Sequence, residues 1–152
     1  MDPRVREHAR IIVEHSVDVQ PEDEVLIQGG RLADDLVVAL HELIGEKGAF
    51  PIVFDRPLRA NRAFMRAMDP DDYDEAPDTL EAMIENVDVS IGIQASENTH
   101  ETSDVDPEKN TAFAQLMEPI QSKMMEKRWV GTQYPAPGNA QDAEMSTEAY
   151  EE

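Results

Sequence analysis

Glu24-Val25-Leu26-Ile27-Gln28-Gly29-Gly30 is the stretch on which the fold turns. Its consecutive apolar residues leave no polar face, so a strand built from them must be covered on both sides, and the glycine pair then ends it in a turn. Downstream, Asp34 and Asp35 supply the negative charge that a helix start favours, and Leu36, Leu40, Leu43 and Ile44 recur at helical spacing until Gly48. Phe50 to Phe54 makes a second apolar strand. Upstream, Asp2 as cap and Pro3 at the first helical position open an amphipathic helix running to about Val17, with Val5, Ala9, Ile12 and Ser16 on one face. Val19-Gln20-Pro21-Glu22-Asp23 is the turn that joins this helix to the first strand.

The same alternation continues to the end of the chain. Residues 59–68 read as a helix with Ala60, Phe64 and Ala67 on one side and Arg59, Arg62 and Arg66 on the other, followed by the polar turn Asp69-Pro70-Asp71-Asp72. Pro77 starts a helix through Asn86, and Val87 to Ile93 is a third strand. After the polar loop Gln94 to Asp104, Asp106-Pro107 opens a long helix carrying Phe113, Leu116, Met117, Ile120 and Met124, which Pro119 is predicted to kink. Trp129 to Gln133 is the fourth strand, closed by a Pro/Gly-rich turn from Tyr134 to Gly138. The predicted class is α/β: an open, mostly parallel sheet of four strands or more with helices on both faces, Rossmann-like or flavodoxin-like, in strand order 2-1-3-4 with right-handed crossovers. Leu26, Ile52, Ile91 and Val130 should then be nearly inaccessible to solvent.

Charge narrows the function. The 152 residues carry a net charge of −20, which would repel a nucleic-acid backbone or an anionic membrane. With no cysteine, thiolate zinc sites, disulfides and thiol nucleophiles are excluded. The opening Met1-Asp2-Pro3-Arg4 leads into mixed charges without an apolar leader, and the longest apolar run, Leu36 to Leu40, is far too short to span a bilayer, so a cytoplasmic protein is expected. Four lysines stand beside nine arginines, and the acids are dispersed over nearly every segment. Such a surface suits a cytosol at molar salt, where self-repulsion is screened over about 3 Å, and a halophilic host is the expectation.

Few residues stand out as chemical candidates. A strand, Gly29-Gly30 and a helix suggest a nucleotide site, but the next glycine is Gly45 and Asp34 and Asp35 occupy the place of the phosphates, which favours a plain turn. His8 and His15 lie two helical turns, about 10 Å, apart, too far to share a metal, and His41 and His100 fall on other elements, so all four read as solvated histidines on helix flanks or loops. Arg56, Arg59, Arg62 and Arg66 are expected to pair with Asp69, Asp71, Asp72 or Asp74, or, in a sharper reading, to present Arg59, Arg62 and Arg66 as a docking face for an acidic surface such as a second subunit. The loop after the third strand, at its carboxyl end, offers Asn98, Thr99, His100 and Glu101 for contact with a ligand, against the plainer reading of a surface loop. No nucleophile elbow and no metal-spaced histidine pair occurs, so no catalytic, cofactor-binding or metal-ligating residue is nominated.

Four segments together resemble one family. The Asp2-Pro3-Arg4-Val5 helix start, the Val19 to Ile27 turn and strand, the Asn98 loop running into Asp104-Val105-Asp106-Pro107-Glu108, and Gln133-Tyr134-Pro135-Ala136-Pro137-Gly138 followed by Ala143-Glu144-Met145-Ser146 are similar to the N-terminal domain of the aminopeptidase T and S family of thermophilic metallopeptidases. That resemblance implies a cytoplasmic, homodimeric exopeptidase acting on the N-terminal bond of peptides. It also implies two divalent ions (zinc, cobalt, manganese or magnesium) held by Glu, His and Asp side chains in a second domain, where they polarise the scissile carbonyl and activate water. Residues 1–143 would be the N-terminal α/β domain and 144–152 the start of a linker or helix toward the metal domain. Asn98, Thr99, His100 and Tyr134 would then face the cleft or hinge. A non-catalytic interaction module, dimerising through its arginine helix, is the alternative.

Overall fold

A computed structural model describes all 152 residues. The four strands, β1 (Glu24–Gln28), β2 (Phe50–Phe54), β3 (Val89–Gln94) and β4 (Arg128–Gln133), pair in parallel in the order β2-β1-β3-β4. The α/β class and the expected order are those of the structure. Leu26 lies opposite Ile52 on one side and Ser90 on the other, and Ile91 opposite Val130.

The chain divides into two compact units. The first comprises residues 1–55, 87–99 and 127–152, and contains the sheet. Its helix α1 (Pro3–Ile11) starts as the sequence predicts, with the Asp2 carboxylate accepting the Arg4 N–H at 2.8 Å and Pro3 in the first turn. Helix α2 (Asp34–Glu46) packs against it, burying Leu36, Ala39, Leu40, Leu43 and Ile44 in one core with Val25, Ile27, Val89 and Ile91. Removing one such side chain, as in Ile27→Ala, leaves a cavity and costs about 2–5 kcal/mol.

Two details depart from the sequence reading. After Ile11 the first helix widens into a π turn, Ile12–Ser16, in which the Val17 N–H reaches back to the Ile12 carbonyl. The extra residue in that turn rotates the apolar face, so Val13 and Val17 are buried and Ser16 is exposed. Leu26 and Ile91 are fully buried as expected, but Ile52 and Val130 are only half-buried, because β2 and β4 are the edges of the sheet.

On β2 the Phe50 N–H is donated to the Asp23 carbonyl and the Phe54 carbonyl accepts from Gly29. The backbone groups of Pro51 and Val53 therefore point to the open side of the sheet. At the other end of the ladder, Glu24 and Asp88 tie the starts of β1 and β3 through two bonds of 2.8 and 2.9 Å.

The second unit comprises residues 56–86 and 100–126. It holds α3 (Leu58–Ala67), a single 3₁₀ turn at Pro70–Asp72, α4 (Asp78–Asn86) and the long α5 (Pro107–Met125), which runs on through Pro119. Its aromatic centre is Phe64, in edge contact with Tyr73 at 5.7 Å and Phe113 at 6.2 Å, while the Arg56 guanidinium lies 5.6 Å above the Phe113 ring. Lys123 bridges α5 to α4 through Glu85 at 3.1 Å and Glu81 at 3.9 Å.

Candidate functional site at the carboxyl ends of the strands

In an open parallel sheet, ligands bind beyond the carboxyl ends of the strands, at the point where the chain order reverses. Here that point lies between β1 and β3. It is closed by the protein itself: a Cβ on Gly29 would stand 2.6 Å from the Ile93 carbonyl oxygen, and one on Gly30 would stand 2.6 Å from a Val37 methyl. Both glycines have positive φ, 79° and 106°, so they serve a tight return of chain against β3. With Asp34 and Asp35 in the first turn of α2, this end of β1 is no cradle for a phosphate.

The neighbouring strand ends are organised differently. Beyond β4 the segment expected as a plain turn forms a short helix, α6 (Pro137–Asp142), started by Pro137 at its first position. Its Gly138 is buried against the loop that follows β3: the Gly138 N–H is donated to the Ser96 carbonyl at 2.9 Å, and a Cβ there would lie 2.5 Å from that oxygen. Asn139 accepts the Ser96 N–H at 3.4 Å, and the Thr99 hydroxyl bonds Asp142 at 2.6 Å. The Tyr134 N–H is donated to the Gln94 carbonyl at 2.9 Å.

Three of the nominated residues thus lie on the two segments that this junction joins, Tyr134 bonded to Gln94 and Asn98 and Thr99 to Ser96 and Asp142. Tyr134 is half-buried against the core, and desolvation, reinforced by the carboxylates of Asp35, Glu151 and Asp2, pushes its phenol above the usual range. Asn98 and Thr99 are exposed on the loop, the Asn98 N–H bonding the Ser96 hydroxyl at 3.2 Å. His100 falls on the far side of the unit boundary, where its carbonyl closes a turn with the Ser103 N–H. Ser96, Asn139 and Asp142 escaped the sequence reading. The signal for them was Pro137, read as a turn residue although proline is also at home at the first position of a helix.

The arginines of α3 find a partner other than those expected. Arg62 grips the Asp104 carboxylate with two donors and Arg66 approaches it at 3.6 Å, so Asp104 replaces the acids at 69–74. This pairing holds the Asp104 carboxyl below the usual range. In the same unit a groove of about 300 Å³ is lined by Met68, Pro70, Tyr73, Asp74, Gln115 and Leu116.

The histidines do not converge. His8 is half-buried rather than solvated, bonding the Thr132 hydroxyl at 2.7 Å, and His41 bonds the Val37 carbonyl at 2.8 Å. No group of three or more His, Asp or Glu side chains is placed to hold a metal ion. No helix is long and apolar enough to cross a membrane.

The model of one protein family, described as thermophilic metalloprotease (M29), matches residues 1–152. The chain belongs to the M29 family. Among solved structures this M29 chain is similar to wild-type AmpT from Thermus thermophilus, with 18% identity and a TM-score of 0.73 over 96% of this chain and 40% of that one, a likeness that shows the fold. It therefore spans about 40% of the length of that relative. An alcohol dehydrogenase superfamily protein from Novosphingobium aromaticivorans aligns at 15% identity and a TM-score of 0.43, over 98% of the M29 chain and 46% of its own, too weak a likeness to carry an argument. No curated protein matches the sequence.

Proposed function

We propose that this chain is the N-terminal domain of a cytoplasmic, metal-dependent aminopeptidase that hydrolyses the N-terminal peptide bond of peptides, and that it works as a homodimer. The match of the M29 model to all 152 residues carries this reading. The metal ligands are proposed to come from sequence outside residues 1–152; the chain spans about 40% of the length of AmpT and brings no three His, Asp or Glu side chains together around a metal, which is in keeping with that. Within the proposal, this domain shapes the cleft and performs no bond-making step. The junction of Asn98, Thr99 and Tyr134 is the part of it assigned to the peptide side, since it joins the carboxyl ends of β3 and β4.

The test is an aminoacyl-substrate assay of the 152-residue chain beside a longer protein in which it is followed by a metal-binding domain. The longer protein should release N-terminal amino acids in a chelator-sensitive way, and the 152-residue chain should not, with zinc, cobalt, manganese or magnesium present. Chelator-sensitive turnover by residues 1–152 alone would overturn the division of labour.

A further inference from the structure

Helix α3 buries only Met65 of its ten residues. Leu58 is 46% exposed and Phe64 39%, and Ala60, Ala63 and Ala67 are exposed as well. At 100° per residue the three alanines form a strip between two rows. Arg59 and Arg66 lie along one side of it. Phe64 lies along the other, in contact with Tyr73, which is 40% exposed.

Charge sorts itself along this segment. From Arg56 to Met68 there are four arginines and no acid, and from Asp69 to Asp78 six acids and no cation. The order runs against the helix macrodipole, which favours acids at the start of α3 and cations beyond its end. Arg62 and Arg66 find Asp104, but Arg59 in the first turn makes no ion pair within the chain, nor do Asp71 and Asp72 just past the last turn.

We propose that this face of α3 docks antiparallel on α3 of a second copy of the chain. A two-fold arrangement sets the start of each helix beside the end of the other, so Arg59 meets the second copy's Asp71 and Asp72 at the negative end of its helix. One contiguous surface thereby serves both sides, as an isologous contact requires. The alanines let the two backbones approach, and the exposed Phe64–Tyr73 pairs supply the aromatic anchors that such contacts concentrate in. The proposal names the surface of the homodimer put forward above and rests on that reading.

Sedimentation of the 152-residue chain tests it, in about 0.5 M salt so that the long-range repulsion of the two acidic chains is damped. Wild type should associate reversibly. Arg59→Glu and Asp72→Arg should each weaken association about tenfold, since every substitution acts twice across a two-fold axis, and the double variant should return to within about threefold of wild type. Circular dichroism melts of the four proteins separate lost contact from lost folding. A dimer indifferent to both single variants, or a double variant without rescue, overturns this surface and leaves the homodimer standing. A wild-type chain that stays monomeric at every concentration overturns this surface too, and sedimentation of the longer protein separately decides the homodimer.

Discussion

The Nε2 atom of His8, in the first helix, lies 2.7 Å from the Oγ1 atom of Thr132, in the last strand. This bond spans 124 residues of sequence and fastens α1 to the edge strand β4. Partial burial holds the His8 imidazole below its ordinary pKa, so the unfolded chain takes up the proton before the folded one does. The stability that wild type holds over His8→Gln should thus be fully present above about pH 7 and shrink as the pH falls below about 6.5. Urea denaturation of both proteins at pH 7.5 and 5.5 measures it, and a constant difference would contradict the assignment.

Gly138 and Gly45 make opposite predictions from the same substitution. A Cβ at Gly138 would drive into the Ser96 and Glu97 backbone at 2.5 and 2.9 Å, whereas at Gly45, on the exposed side of α2, nothing lies within 4 Å. Gly138→Ala should destabilise by about 1–3 kcal/mol and raise hydrogen exchange across residues 94–99. Gly45→Ala should stabilise by up to about 1 kcal/mol. Thermal melts of the two variants decide both.

Arg128 fastens the other end of β4. Its guanidinium donates to the carbonyls of Val17 and Asp18 at 3.0 and 2.6 Å and to the nearly buried Asp23 carboxylate at 2.6 Å, which also accepts the Gln20 N–H at 2.8 Å. Arg128→Gln should cost about 1–2 kcal/mol, moderated by the exposure of the arginine. Asp23→Asn in a double-mutant cycle with it should show a coupling of at least about 0.5 kcal/mol, read from denaturation midpoints.

The net charge of −20 predicts a salt response of the whole chain. Screening shortens from about 10 Å at 0.1 M to about 3 Å at 1 M, so the melting temperature should climb through that range. A flat profile in potassium chloride would remove the ground for expecting a halophilic host.

What the sequence made legible was whatever is encoded locally. Val25-Leu26-Ile27 announces a buried strand because no polar residue interrupts it, and Asp2-Pro3 and Asp106-Pro107 announce helix starts because cap and ring geometry act over two residues. Ser16 was misplaced because nothing in its neighbours signals a π turn. Ile52 and Val130 are as apolar as Leu26, and only their edge positions leave them part-exposed. At the candidate site Thr99 could be nominated as a loop residue, but its partner Asp142 lies 43 positions away among many equivalent acids. The choice of Asp104 by Arg62, across 42 positions, was hidden for the same reason.

Pro51 has a consequence at the scale of many molecules. Phe50 is 68% exposed and Val53 45% exposed, so β2 offers the open edge of the sheet an apolar strand on which further strands could polymerise. Of the two residues whose backbone faces outward there, one is a proline with no hydrogen to give. An incoming strand could register with Val53 but would find its next rung missing. This apolar edge of the sheet thus carries its own stop to strand addition, set in the backbone and not in any side-chain charge.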